Sequence, residues 1–306
     1  MKYRIIHSTL YQYSQTVGLC QNEARLQPRN FWRQQCQSSH FEISPEPGDF
    51  QERLDYFGNR VAYFAIQQAH QRLLVTAVSE VTVFPEQRCD HLAASITWEQ
   101  VRDHLQTGHS QIQSQHQFQQ QQNYDELQDA KLYIMDSPMV MTSADLADYA
   151  QSSFVANRPL VQVVIDLMQR IHQDFDYAPS STTIATPLSD VLYFRRGVCQ
   201  DFAHLAIGCL RSFGIAARYV SGYVETQPEQ GKQRLVGADA SHAWFAVYVP
   251  GIGWLEFDPT NNKLPFDQHI TLAWGRDYTD VTPLKGIAFG GGAHTLSVSV
   301  DVLRLE

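Results

Sequence analysis

Residues 196–214 constrain the fold of this chain most. Arg196-Gly197-Val198-Cys199-Gln200-Asp201-Phe202-Ala203-His204 is a glycine turn that runs straight into a helix. Phe202, Leu205, Ala206, Cys209, Leu210 and Phe213 recur at helical intervals, and Gly214 supplies a left-handed stop. Gly197 lets the backbone bend sharply before the helix begins. Cys199 therefore falls in or next to the first helical turn, where the helix dipole favours an anion such as a thiolate. Asp201 brings a like charge close to that thiolate, and its expected task is to cap or neutralise the same helix end. Cys209 falls on the apolar stripe and reads as a small core residue.

The strands behind this helix are also readable. Segments 217–224, 242–249 and 254–258 carry the aromatic and β-branched content of strands. Pro250-Gly251-Ile252-Gly253 forms the turn between the last two, and Pro259 ends the returning strand. A tip centred on Gly251 sets Trp244 opposite Asp258 and makes His242 the diagonal neighbour of Asp258 on the same face. Diagonal neighbours lie roughly 7–8 Å apart between backbones, within reach of long polar side chains. A slip of one residue would send the two side chains to opposite faces, with Glu256 as the alternative acid. In chain order Cys199, His242 and Asp258 supply a thiol nucleophile, a base and the group that orients the base.

Three blocks carry a family resemblance: Gly197 to His204, Asp239-Ala240-Ser241-His242-Ala243-Trp244, and Gly253 to Asn261. They resemble the signature blocks of bacterial transglutaminase-like proteins, a branch of the papain-like cysteine-protease superfamily. Gly275 to Val281 and the glycines 290–292 are similar too. So is the start of the chain, at Tyr11-x-Tyr13, Arg25-Leu26-x-Pro28-Arg29 and Asp55-x-Phe57-Gly58-Asn59. The resemblance implies that Cys199 is the nucleophile, His242 the base and Asp258 the orienting acid.

Other candidates have plainer readings. Tyr177 and Tyr193 could donate to an oxyanion beside the Cys199 N–H, but core packing is expected for both. His204, one turn past Cys199, reads as a helix residue with a local hydrogen bond. His104, His109 and His116 are spaced too loosely for a metal site. Arg276 and Asp277 read as a surface ion pair.

The remaining organisation follows from pattern. Strand runs at 40–43, 61–66 and 73–78 alternate with turn signals, so residues 1–86 are expected to form a β-sandwich. Residues 87–150 read as a Gln-rich linker with helices, in which 106–123 is of low complexity. Ser143 marks one helix start, and Pro159 opens a helix through Leu160, Val163, Val164, Leu167, Met168 and Ile171. Residues 151–306 are expected to be the catalytic region, a Cys-bearing helix packed on an antiparallel sheet, with a last strand at 296–302. The fold class is α+β.

Composition limits the function. A hydrophobic fraction of 43% over 306 residues builds real cores, and a net charge of −9 argues against nucleic acid as a partner. No run of about 20 apolar residues is present, so no membrane span is expected, and the N-terminus lacks a signal-peptide core. An odd cysteine count of 5 without framework spacing suggests reduced thiols and a cytoplasmic setting. The expected activity is thiol-based acyl transfer at a peptide or protein amide, with hydrolysis favoured. Cross-linking or deamidation of the transglutaminase type, and a non-catalytic peptide-binding module, are the alternatives. The mechanism requires neither cofactor nor metal. Substrate and oligomeric state are not readable.

Overall fold

The computed structural model describes residues 1–85, 96–107, 117–179, 181–225 and 241–305, with the backbone alone for 117–124. The first region consists of β1 (Lys2–Ala24), β2 (Gln34–Ser44), β3 (Asp49–Leu54), β4 (Arg60–Ile66) and β5 (His70–Val83). Along β1 the side chains of Tyr3, Ile5, His7 and Thr9 are buried while the residues between them are more exposed, the period of two that a half-buried strand requires. The strand order is β2-β5-β1-β4-β3. The ladder is interrupted between Gln12 and Val17, and such irregularities bend a strand and increase its twist. The expected sandwich thus takes the form of one curled sheet whose two wings share β1.

The helical region follows with α1 (Trp98–Thr107), α2 (Gln117–Leu132), α3 (Ala144–Ala150) and α4 (Leu160–Asp174). Ser143 caps α3 by accepting from the Leu146 N–H, and Pro159 precedes α4, whose predicted apolar stripe is buried. Among the described residues no helix is long and apolar enough to cross a membrane. The chain continues through β6 (Asp176–Tyr177), α5 (Leu188–Phe194), β7 (Arg196–Gly197) and α6 (Cys199–Ser212). Next come β8 (Ala217–Val224), β9 (Ser241–Val249), β10 (Gly253–Phe257), β11 (His269–Gly275) and α7 (Tyr278–Val281). The second sheet is antiparallel in the order β10-β9-β8-β11, and α6 packs on β9 and β8. From Asp201 to Arg211 every residue of α6 is buried, because α3, α4 and α5 close over its other side. Gly214, at φ 74°, takes the left-handed position that ends α6.

The last strands, β12 (Leu284–Gly290) and β13 (His294–Leu305), leave the second region, to which sequence had assigned them. They run along β1 as two halves of one antiparallel strand, with Val17 opposite Gly290 and Tyr13 opposite His294. The reason lies in the length of β1, whose backbone groups need partners along both edges. Gly290, Gly291 and Gly292 make the break between the halves, all with positive φ of 93°, 86° and 64°. A Cβ at Gly291 would sit 2.8 Å from Val17 Cγ2. Both ends of the chain therefore meet in the first sheet.

The two regions share one buried apolar cluster. Gln34 Nε2 donates to Thr271 O at 2.7 Å and Asn59 Nδ2 donates to Trp274 O at 2.9 Å. The guanidinium groups of Arg29 and Arg218 stack on Trp274 at 3.5 and 3.8 Å. Such desolvated cation–π contacts are among the stronger of their kind.

Candidate active site

Cys199 is the first residue of α6, after the N-cap Val198. The turn before it is held by the parallel pairing of Tyr177 with Gly197. The Asp201 carboxylate folds back to accept the Val198 N–H at 2.8 Å and the Thr182 hydroxyl at 2.7 Å. It caps the helix as expected, and burial raises its pKa despite these bonds. Gly197 is required by the same contact, since a Cβ there would meet Asp201 Cβ at 2.8 Å.

His242 comes from β9. The β9–β10 ladder pairs Val249 with Gly253 and Phe245 with Phe257. Continued by one residue, that register sets Trp244 against Asp258, the arrangement expected from a tip centred on Gly251. His242 Nε2 donates to Asp258 Oδ2 at 2.8 Å. The side chains of Cys199 and His242 line one cavity of about 280 Å³, and Cys199 is close enough to help raise the His242 pKa. With Nε2 occupied by Asp258, Nδ1 is the ring nitrogen left for the sulfur. Burial by itself would lower the His242 pKa, but the hydrogen bonds and charges of Asp258 and Cys199 outweigh it and raise it to about 10. The structure thus brings Cys199, His242 and Asp258 together.

Asp258 has no solvent exposure and more partners than the sequence suggested. Its Oδ2 also accepts from His269 Nε2 at 2.9 Å and from Asn261 Nδ2 at 2.7 Å. Its Oδ1 accepts the backbone N–H groups of Thr260 and Asn261 at 3.0 and 3.1 Å. Burial raises its pKa, yet the bonds from the two histidines win and hold it well below the usual carboxylate range. The ring of Trp244 stacks beside His242 at 6.0 Å and meets His269 edge-on at 5.1 Å. Glu256, the alternative acid, is engaged elsewhere, accepting from Trp244 Nε1 at 3.1 Å and Arg33 at 2.5 Å.

His269 escaped the sequence reading. It opens β11, a mostly apolar strand, and its only signal was a lone histidine at that position. Burial lowers its pKa, so it serves Asp258 as a neutral Nε2–H donor, while its buried Nδ1 has no hydrogen-bond partner. The donor atoms of His242, Asp258 and His269 all lie within 4.8 Å of one another, and among the described residues they are the group that could hold a metal ion. Two N–H donors on one carboxylate oxygen account for that closeness without one.

The remaining candidates fall differently from expectation. Tyr177 and Tyr193 are not core residues: they are 54% and 80% exposed. Tyr177 ends β6 and Tyr193 lies in the last turn of α5, and burial followed by the Cys199 charge raises the Tyr177 pKa. Tyr219, which sequence did not single out, is buried and lines the cavity with Cys199. The hydrogen bond of His204 is long-range: Tyr278 N donates to its Nε2 at 3.2 Å, and burial lowers its pKa to about 4. Arg276 pairs with Asp280 at 2.9 Å and not with Asp277. Asp277 is buried as the N-cap of α7 and accepts the Met139 N–H at 2.8 Å. His104 lies on α1, whereas His109, His116 and Cys89 lie outside the described residues. Cys209 is buried as expected, with its pKa pushed up to about 12.

Residues 3–82 match the bacterial transglutaminase-like N-terminal region, and residues 148–259 match the transglutaminase-like superfamily. Rv2569c of Mycobacterium tuberculosis is 39% identical over 313 residues, covering 100% of this chain and 93% of that protein. The "Protein-glutamine gamma-glutamyltransferase" of Pseudomonas aeruginosa is 33% identical over 155 residues, covering 48% of this chain and 23% of that protein. The solved "Putative Cysteine Protease" of Cytophaga hutchinsonii superposes with a TM-score of 0.71 at 20% identity, covering 100% of this chain and 92% of that one. The chain belongs to the transglutaminase-like superfamily and has its fold. That superfamily is generally enzymatic and suggests thiol-dependent acyl transfer.

Proposed function

We propose that this protein cleaves amide or peptide bonds through a covalent thioester on Cys199, with His242 as proton carrier and Asp258 as its orienting acid. The observation that carries the reading is His242, hydrogen-bonded to Asp258 at 2.8 Å while it lines the same cavity as Cys199. The Cys199 sulfur attacks the carbonyl carbon. The carbonyl electrons move to oxygen, where the Cys199 N–H at the start of α6 can meet the charge. On collapse the C–N bond breaks, and the amine leaves with the proton held by His242. Water then attacks the thioester carbon, giving a proton to His242; the C–S bond breaks, the Cys199 thiolate is released beside the imidazolium, and the acid departs. Asp258 keeps its own negative charge throughout and serves to fix and stabilise the imidazolium.

Hydrolysis is favoured over transfer to an amine because the cavity is not closed to water. Its lining residues Leu296 and Val298 are 53% and 51% exposed. Partial similarity to the Pseudomonas protein named as a glutamyltransferase supports the second reading, resolution by a lysine amine. Incubation with a peptide library, with and without an added primary amine, separates the two by the mass of the products. New carboxyl termini mean hydrolysis, and amine adducts at glutamine mean transfer. The thiol reading fails if Cys199→Ala retains either activity. The peptide-binding alternative gains if Cys199 in the folded protein reacts with iodoacetamide no faster than Cys209.

A further inference from the structure

The cavity beside Cys199 has two unlike walls. One consists of Cys199, His242, Ser241 and Tyr219, from α6 and the second sheet. The other is a face of the first sheet, made by Thr9 and Tyr11 of β1 with Leu296 and Val298 of β13. Thr9 pairs with Val298 and Tyr11 with Leu296, and residues directly opposite on a ladder share a face. Leu284 of β12 also lines the cavity. Among the described residues, no aspartate, glutamate, lysine or arginine lines the cavity. His7, on the same β1 face, is neutral at pH 7 because burial lowers its pKa to about 4. Its ring is engaged by the Tyr223 hydroxyl at 2.8 Å and by Thr9 at 3.1 Å.

We infer that the first sheet is the specificity wall of the site, and that it selects substrates whose acyl residue carries an uncharged, apolar side chain. This rests on the proposed role of Cys199. At about 280 Å³ the cavity is slightly smaller than the roughly 300–1,000 Å³ of pockets that take drug-sized ligands, so it holds about one residue. A cavity of that size that includes Cys199 holds the residue bearing the attacked carbonyl. Leu296 and Val298 offer that residue half-exposed apolar surface to cover. A charged side chain would lose water there and meet no counter-ion on that wall, and the His242 imidazolium across the cavity is already paired with Asp258. Selection would thus come from the strand pair made by the two ends of the chain.

The test uses the full chain and acetylated amino-acid chloromethyl ketones of leucine, phenylalanine, lysine and glutamate, read by intact mass. These reagents present a backbone carbonyl and so probe the peptide-cleaving reading. The leucine and phenylalanine reagents are expected to alkylate Cys199 at least about tenfold faster than the other two. Leu296→Asp should erase that preference and favour lysine, with folding checked by thermal unfolding. Equal or faster labelling by the charged reagents overturns the inference. So does a failure of all four reagents where iodoacetamide still modifies Cys199. Labelling that persists in Cys199→Ala overturns the proposed nucleophile instead.

Discussion

The two walls of the cleft differ in how their side chains are spent. On one, Asp258 is wholly buried and accepts five hydrogen-bond contacts, from His242, His269, Thr260 N and both nitrogens of Asn261. On the other, Leu296 and Val298 are about half exposed and bury little against the protein. A saturated carboxylate cannot move without leaving several donors unpaired, so that wall is rigid and sets geometry. A half-exposed apolar face has no such commitments and is free to cover whatever shape it meets. The contrast suggests that residues on the first wall govern rate and residues on the second govern choice.

The largest effects that test this division are on the first wall. Cys199→Ala and His242→Ala should each reduce turnover to background, because in the proposed mechanism nucleophile and base act as a unit. A variant of either with more than about a thousandth of the activity would break the comparison at once. Asp258→Asn should lose about 10²- to 10⁴-fold in kcat yet stay above Cys199→Ala, since the orienting acid usually costs less than the nucleophile. A silent Asp258→Asn would transfer the orienting role to another acceptor.

A smaller loss, about tenfold in kcat, is expected for His269→Phe, which keeps a ring against Trp244 but removes one donor from Asp258. His269→Gln, with an amide donor, should recover part of it. With less competition for Oδ2, Asp258 holds the His242 proton more strongly, so the alkaline limb of kcat/KM should move up in the Phe variant. An unmoved limb with only a lower melting temperature would make His269 structural.

Acid stability extends the comparison behind the walls. His7 and His204 both have pKa values lowered to about 4 by burial, against an unfolded value of 6.5. The unfolded chain binds more protons between these limits, so stability falls as pH drops from 6.5 towards 4. Each histidine contributes up to about 3 kcal/mol to that slope. His242 acts in the opposite sense: its raised pKa adds stability below pH 6.5 that is lost as pH climbs through about 10. Urea unfolding from pH 4 to 10 should trace both limbs. A flat acid limb would mean that His7 and His204 are charged or open in solution.

The smallest effect is expected on the second wall. Leu296→Ala should cost under about 1 kcal/mol of stability, since the side chain is half exposed, and should raise KM with kcat little changed. A fall in kcat equal to that caused by His269→Phe would erase the division of labour.

Much of the first wall was legible in the sequence. The glycine turn, the apolar stripe and Gly214 fix α6 by local rules, and a three-residue tip centred on Gly251 gives the hairpin register by counting. Both depend on interactions between near neighbours, which spacing records directly. His269 was not legible. It reaches Asp258 from a different strand, and no local pattern says where β11 will lie. The same holds for Tyr193, an aromatic residue expected in the core that lies exposed in the last turn of the short helix α5. Asp277 fails in the other direction, as a charged residue that looks like surface and is buried as a cap.

By itself the sequence determined the α+β class, the Cys199 helix and the hairpin that carries His242 towards Asp258. Only the tertiary structure decided that β12 and β13 return to β1, and so that the last residues of the chain face the cleft. Alternation of apolar residues states which side of a strand is buried. It does not name the strand that will satisfy the edge, because backbone hydrogen bonds are chemically identical at every residue and carry no address.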